Sequence, residues 1–352
     1  MDLQQAIAAV QPPDEDSRAA ARRRFSDIAI PLGSLGLLQD AVAQLAAIQR
    51  TVRPTIAKRA VVMFCADNGV VAQGVTQCGQ EVTATVTENM GRGKSTVCLM
   101  AKHIGMDNFP VDIGVARDVE GERILRRKIR YGTADMTKEP AMTREEAVRA
   151  LETGIQMAEW CAAQGYRLVC GGEMGIGNTT TSAAVTAVLT GANVRDVTGR
   201  GAGLSSEGLE RKVRAIETAL KLHQPDPNDP VDILHKVGGL DIAGMAGFYL
   251  GAAACGLPVV LDGVISCAAA LIAVRLCPAV RDYLIAAHQS AEPAGRLLLE
   301  ALGYTPFISA GMRLGEGTGA VAAVAMIDLV LAAYDGMPSF DEAGIEAYQP
   351  LT

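Results

Sequence analysis

Residues 313–320, with the sequence RLGEGTGA, place one carboxylate, Glu316, among three glycines. Segments with apolar residues at helical spacing lie on both sides. Glycine lets the backbone approach a ligand closely and tolerates a positive φ. A glutamate held by such backbone at the edge of a cleft is suited to act as a general base. A glycine-rich turn whose glutamate caps the next helix explains the same residues, so the octet alone leaves both interpretations open.

A second carboxylate, Glu173, precedes another glycine-rich segment, GIGNTT at 175–180. An apolar strand pattern at 167–171 comes before it and a helical pattern of small residues follows. Free N–H groups and the helix dipole make the N-terminus of such a helix an anion site. The segment therefore predicts binding of a phosphate or carboxylate group.

A third glycine-rich segment, TGRGAGL at 198–204, also precedes a helix, which begins with a Ser205 or Ser206 cap and carries Lys212. A lysine one or two turns into that helix can reach a phosphate as a point charge. A lysine paired with a neighbouring glutamate on a solvated face explains Lys212 as well. The combination favours chemistry on a phosphate-bearing small molecule, and glycosyl transfer at a ribose phosphate fits it.

Other chemistries have weaker support. The eight cysteines include no C-x-x-C pair and the four histidines are scattered, so we expect no metal site and no cofactor. Residues 91–96, GRGKST, resemble part of a phosphate-binding loop but lack its first glycine at the required spacing. A nucleoside triphosphate site is therefore not expected there.

Charge and hydropathy limit the partners. The net charge of −7 gives no electrostatic basis for binding nucleic acid. The uncharged segment 242–261 contains several glycines and a proline, which favour a buried helix, a turn and a strand over a membrane span. Cysteines in apolar segments and an N-terminus without a signal-peptide core favour a cytoplasmic protein.

The elements that must position these residues alternate between strand and helix. Continuous apolar segments at 60–66, 109–114, 167–171 and 258–261 are typical of parallel strands covered on both faces. The intervening segments have helical patterns, and residues 121–132 are predicted to form a strand with a charged face. This alternation predicts an α/β fold with a mainly parallel sheet and helices on both faces. The chain ends have helical patterns without strands, which indicates a small helical subdomain.

Eight motifs in a fixed order resemble the nicotinate-nucleotide–dimethylbenzimidazole phosphoribosyltransferases of cobalamin assembly. The resemblance spans about residues 28–335. The motifs are PLGSLGLL, ADNGVVAQGV, GGEMGIGNTT, RGAGL with Lys212 beyond it, DILHKVGGLDIAGM, GLPVVLDGVIS, HQSAEPAG and RLGEGTGA.

The resemblance implies a reaction and a set of residues. Nicotinate mononucleotide gives its phosphoribosyl group to 5,6-dimethylbenzimidazole or a related base, with no cofactor. Glu316 matches the general base and Glu173 a second acid near the incoming base. The residues matching the phosphate and ribose pocket are Gly175, Ile176, Gly177, Asn178, Thr179, Gly201, Gly203, Lys212 and Ser290. The acceptor pocket would include Cys78, Val86, Met90 and Leu314.

The resemblance also implies a homodimer of two-domain subunits. Residues 60–290 would form a large Rossmann-like domain that binds nucleotide and base. Residues 1–59 and 291–352 would form a small, mostly helical domain that contributes the loop of the catalytic Glu316.

Departures from the family pattern leave the acceptor open. The first strand ends in ADNG where many relatives have ADHG, and Val86 occupies a position where relatives often have glutamine. A different benzimidazole, a purine or a phenolic acceptor is compatible with these changes. Two other functions are also considered: a nucleotide kinase or phosphatase that uses residues 91–96 and requires ATP and Mg²⁺, and a catalytically silent ribotide-binding or partner subunit.

Overall fold

A six-stranded parallel sheet forms the centre of the computed structural model, which describes residues 1–348. The strands are β1 (Arg59–Ala66), β2 (Asp107–Gly114), β3 (Leu125–Arg126), β4 (Leu168–Met174), β5 (Val259–Leu261) and β6 (Leu284–Ala286). Their order across the sheet is β3-β2-β1-β4-β5-β6. This is the doubly wound order of a Rossmann-like sheet, with the topological switch point between β1 and β4. The predicted α/β fold with a mainly parallel sheet is confirmed.

Fifteen α-helices and two short 3₁₀ helices surround the sheet in the described residues. The α-helices are α1 (Leu3–Ala9), α2 (Glu15–Asp27), α3 (Leu37–Gln49), α4 (Glu81–Gly91), α5 (Thr96–His103), α6 (Arg144–Ala163), α7 (Asn178–Thr190), α8 (Val194–Val197), α9 (Ser206–His223), α10 (Pro230–Val237), α11 (Leu240–Ala254), α12 (Val264–Leu276), α13 (Ala294–Leu302), α14 (Thr318–Gly336) and α15 (Phe340–Ala343). The 3₁₀ helices are Gly69–Gln73 and Pro278–Tyr283.

The side chains of β1 alternate between two apolar cores. Val62 and Phe64 belong to the core with α6, α11 and α12, whereas Val61 and Met63 belong to the core with α2, α3 and α14. All eight residues of β1 are buried. A strand covered on both faces can be apolar throughout, which explains why its sequence shows no alternation of polar and apolar residues.

The strand predicted over 121–132 is too long. Only Leu125–Arg126 pairs with β2, because Lys128 then turns inward to the buried Asp112, with 3.1 Å between Nζ and Oδ2. β4 runs further than its apolar pattern indicates and includes Glu173. The edge strand β6 is not among the predicted strands, since three residues are too few to show a pattern.

The helices at the two chain ends pack on the sheet as well as on each other. Phe25 of α2 contacts Tyr334 of α14, with ring centroids 4.7 Å apart, and Arg59 at the start of β1 pairs with Asp328. The division into domains 60–290 and 1–59 with 291–352 stays a prediction, and residues 349–352 lie outside the described residues.

Within residues 1–348, α14 is long and apolar enough by length and composition to cross a membrane. Half of its most apolar window is buried. The buried side chains, such as Val324 and Ile327, pack in the second core beside the sheet. Its apolar character therefore follows from its place in that core.

We expect Gly247→Ala to destabilise the protein by about 1–3 kcal/mol. Helices α6 and α11 pack with backbone in contact, and a methyl group on Gly247 would collide with the carbonyl oxygen of Leu151. Chemical denaturation measures the change. The control is Gly336→Ala in α14, where the added methyl group meets nothing within 4 Å; this change should stabilise the helix by up to about 1 kcal/mol. Equal unfolding free energies for the two variants would contradict the close packing.

Candidate active site

A cavity of about 300 Å³ opens at the carboxyl edge of the sheet. It lies beyond the ends of β4, β5 and β6, beside the switch point where open α/β sheets bind ligands. Eleven of the residues predicted from sequence line it: Val86, Glu173, Gly175, Ile176, Gly177, Asn178, Thr179, Gly201, Ser290, Leu314 and Glu316. The chain thus brings residues from 86 to 316 to one place.

Four predicted residues lie outside this lining. Lys212 lies directly behind it, and the carbonyl of Gly203 accepts a hydrogen bond from the Gln77 side chain. Cys78 contacts Thr76, which lines the cavity, with 3.8 Å between the cysteine Sγ and the threonine Oγ1. Met90 is fully buried in the second core.

The loop that carries Glu316 has an unusual backbone. Gly315, Glu316 and Gly317 have φ values of 87°, 63° and 95°, so three consecutive residues are left-handed. A non-glycine residue in this region costs of order 1–3 kcal/mol and persists only when its surroundings hold it. Gly172 of β4 provides part of these surroundings, because any side chain there would collide with the carbonyl group of Glu316.

Asp262 fixes the same loop to the sheet. It follows β5, and its carboxylate accepts hydrogen bonds from Gly317 N (3.1 Å) and Gly319 N (2.7 Å) at the start of α14. Helix N-termini have unsatisfied N–H groups, and the N-cap residue Gly317 has no side chain to accept them. The carboxylate of a distant residue therefore caps α14 and sets the position of Glu316.

The side chain of Glu316 is half-buried and points to the start of α5. Its Oε2 accepts a hydrogen bond from Val97 N at 3.4 Å. Burial raises the pKa of Glu316 above its usual value, while this hydrogen bond opposes the rise. A carboxylate with a raised pKa accepts a proton more readily, as a general base must.

Glu173 belongs to a buried group of three polar side chains. The Asn178 side-chain amide donates to Glu173 Oε2 and also to Asp241 Oδ2, the latter at 3.0 Å. Burial, reinforced by the nearby Asp241 charge, raises the pKa of Glu173 to about 8, and burial raises the pKa of Asp241 to about 6. Glu173 is therefore protonated more readily near neutral pH than an exposed glutamate, and in its protonated form it can donate a hydrogen bond.

A buried cation lies behind the loops at 175–180 and 198–204. Lys212 is fully buried, and its Nζ donates to Thr179 Oγ1 (2.7 Å) and to the carbonyl of Gly199 (3.0 Å). Burial lowers the pKa of Lys212 to about 8. No carboxylate lies within 4 Å of Nζ among residues 1–348. The start of α7 and this charge together favour an anion.

Sequence reasoning misses twelve of the 23 residues that line the cavity and the buried Asp241 beside it. It assigns no role to Asp262 and Asp241, and His288 is not among the predicted residues although the HQSAEPAG motif contains it. His288 lines the cavity, with its Nε2 3.6 Å from Asp262 Oδ1. An acid directly after an apolar strand is the available signal for Asp262. For metal sites, the described part of the chain contains no cluster of three or more His, Cys, Asp or Glu side chains.

Comparisons with known proteins agree with this geometry. The model of a phosphoribosyltransferase family matches residues 10–345. The nicotinate-nucleotide–dimethylbenzimidazole phosphoribosyltransferase of Acetivibrio thermocellus is 48% identical over 329 residues, which are 94% of each chain. The enzyme of that name from Ruminiclostridium cellulolyticum is 44% identical over 351 residues, covering 100% of both chains.

A solved structure has the same fold. The crystal structure of CobT from Thermus thermophilus superposes with a TM-score of 0.89 and is 40% identical in sequence. The match covers 95% of this chain and 100% of the other. With a family match over nearly its full length and close relatives of equal extent, this chain belongs to the phosphoribosyltransferase family whose members act on nicotinate nucleotide and dimethylbenzimidazole.

Proposed function

We propose that the protein transfers the phosphoribosyl group of nicotinate mononucleotide to 5,6-dimethylbenzimidazole or a related lower-ligand base. The products are α-ribazole 5′-phosphate, used in the nucleotide loop of cobalamin, and nicotinate. The observation that carries the proposal is that the half-buried Glu316 carboxylate lines the same cavity as an anion site backed by the buried Lys212. An acidic group for the acceptor and a cationic pocket for the donor occur in one cavity.

The phosphate would bind where α7 begins. The 5′-phosphate meets the loop at 175–179 and the charge of Lys212, and Gly201 and Ser290 line the ribose side. Fixing the phosphate places C1′ against the acceptor, and such positioning supplies much of the rate in a two-substrate reaction. Nicotinate leaves easily, because breaking the bond to C1′ returns the electron pair to a positively charged ring and neutralises it.

Glu316 would act on the acceptor. As one ring nitrogen of the base attacks C1′, the other must lose its proton, and the Glu316 carboxylate takes it. Attack from the face opposite to nicotinate converts the β-nucleotide into an α-ribotide. Protonated Glu173 lies beside Glu316, and its Oε1 is 3.4 Å from Glu316 N. It can hold the base or the departing nicotinate through a hydrogen bond.

Family membership favours this reaction over the two alternatives. In the structure, residues 91–96 join α4 to α5 and line no part of the cavity, which gives no support to a kinase or phosphatase. Glu316, Glu173 and Lys212 are all present at the site, so a silent subunit is not favoured. Val86 and Leu314 line the cavity, and these apolar side chains fit more than one aromatic base, so the identity of the acceptor is decided by experiment.

The direct test mixes the purified protein with nicotinate mononucleotide and dimethylbenzimidazole, without metal or ATP, and follows nicotinate by chromatography. Release of nicotinate together with a new ribotide supports the proposal. Release of nicotinate only with a purine or a phenol would show that the protein catalyses phosphoribosyl transfer to a different acceptor. No release with any acceptor would overturn the proposed activity.

We propose in addition that the protein is a cytoplasmic homodimer. All eight cysteines are free thiols, as in proteins of a reducing compartment. The packed helices α5 and α14 each expose a large leucine, Leu99 and Leu329, at 59% and 73% of their surface. Exposed apolar side chains of this size suit contact with a second subunit.

We expect Glu316→Gln to reduce kcat by at least about 10²-fold, because glutamine cannot accept the acceptor proton. The Michaelis constant of the nucleotide should change little, since other residues form the proposed phosphate site. Steady-state kinetics measure both constants, and circular dichroism checks the fold. The matched control is Glu300→Gln on the exposed face of α13. Near-normal kcat in Glu316→Gln would remove Glu316 from its proposed role.

We expect kcat/KM for the nucleotide to fall as pH rises through about 8, because Lys212 has a pKa of about 8 and loses its charge above it. Lys212→Met should lower kcat/KM by about 10- to 10²-fold at pH 7 and reduce the alkaline fall to the part contributed by Glu173, whose pKa is also about 8. The exposed Lys221→Met on the same helix should change neither. A Lys212→Met enzyme that keeps the full alkaline fall would show that another group causes it.

A further inference from the structure

The segment GRGKST at 91–96 has no role in the proposed function, yet the residue directly after it, Val97, donates a hydrogen bond to Glu316. It contains the turn between α4 and α5, and Ser95 is the N-cap of α5. Ser95 Oγ accepts a hydrogen bond from Cys98 N at 3.4 Å. The segment thus ends as a capped helix N-terminus.

The first turn of α5 has N–H groups without partners inside the helix, as every helix does. The serine cap uses the one on Cys98. The one on Val97, which is a fully buried residue, donates to Glu316 Oε2 at 3.4 Å. The other carboxylate oxygen of Glu316, Oε1, has no hydrogen-bond partner among residues 1–348. One oxygen is held and the other is free.

We propose that the N-terminus of α5 is the positioning element for the general base, holding Glu316 Oε2 through Val97 N–H so that Oε1 faces the acceptor. This inference rests on the proposed function. In the step it serves, Oε1 takes the proton from the acceptor nitrogen. The other acceptor nitrogen bonds to C1′, and the electron pair of the broken bond goes to the nicotinate nitrogen.

The surroundings explain why such an element is needed. The ionisable groups near Glu316 are Asp262 and Glu173 on the strand ends and the Cys98 thiol on α5. Each of them, when ionised, opposes a second negative charge. The positive charge of Arg123 lowers the pKa of the Cys98 thiol. Arg313 lies on the same loop as Glu316. The partial positive charge at the start of α5 helps keep the base ionised at working pH.

Val97→Pro is the first test, because proline removes an N–H that makes no hydrogen bond within the helix. It also disfavours the helical backbone of Thr96, so the amide titration described below is the deciding measurement. Without the donor, the pKa of Glu316 rises, so the acid limb of the kcat profile should move to higher pH by roughly 0.2–0.7 unit. Loss of orientation should reduce kcat by up to about 10²-fold. The nucleotide KM should stay within about twofold.

The matched control is Thr96→Pro. Proline at the first helical position is favoured, and the extended backbone of Ser95 suits the residue before a proline. It introduces the same ring one residue away without touching the Val97 donor, so the pH profile should remain that of the wild type. An equal shift in both variants would assign the effect to the proline and overturn the inference.

A measurement on the unsubstituted chain avoids any folding defect. In protein labelled with ¹⁵N-valine, the Val97 amide resonance should titrate with the pKa of Glu316, and this titration should vanish in Glu316→Gln. A Val97 amide that does not respond to pH overturns the inference. If Glu316→Gln itself keeps normal kcat, the proposed role of the base fails instead, so the two failures can be told apart.

Discussion

One buried carboxylate, that of Asp262, holds the loop that carries Glu316 in place. Asp262 is joined to β5 on one side and caps α14 on the other, so the loop of Glu316 cannot move without breaking the cap. Asp262 is in turn held by Ser266, whose Oγ accepts a hydrogen bond from the backbone N–H of Asp262. The same Oγ lies 2.7 Å from Tyr249 OH. A polar chain therefore runs from the middle of α11 to the catalytic loop.

The strain of three left-handed residues is tolerable because of this support. The loop is fixed by the α14 cap, by contact with Gly172, and by the hydrogen bond from Glu316 N to Glu173. Gly172 and Glu173 belong to β4, and Asp262 directly follows β5, so each of these partners is positioned by the sheet. The proposed phosphate site is formed by the start of α7 and by Lys212 of α9, whereas the proposed base lies on the loop before α14.

The sheet and eleven of the 23 residues that line the cavity can be predicted from the sequence for physical reasons that can be identified. Fully buried parallel strands are continuous apolar segments, which makes β1, β2 and β4 visible, whereas β6 is too short to form a pattern. The glycine-rich loops before α7 and α14 reveal where backbone and ligand come together. The role of Asp262 is not visible, because a cap supplied from 55 residues away has no local pattern. Lys212 is found through its loop, although its burial is a property of the folded chain.

The packing of the two chain ends has a consequence for biogenesis. Arg24 of α2 donates a hydrogen bond to the carbonyl of Tyr334 at 2.7 Å, and Arg59 at the start of the first strand pairs with Asp328. During synthesis, the apolar faces of α2 and α3 leave the ribosome long before α14 exists to cover them. The nascent chain must keep this surface from aggregating until translation is nearly complete. The chain therefore gains Glu316, the proposed base, and the cover of its second core in the same late event, and a prematurely terminated chain would lack both.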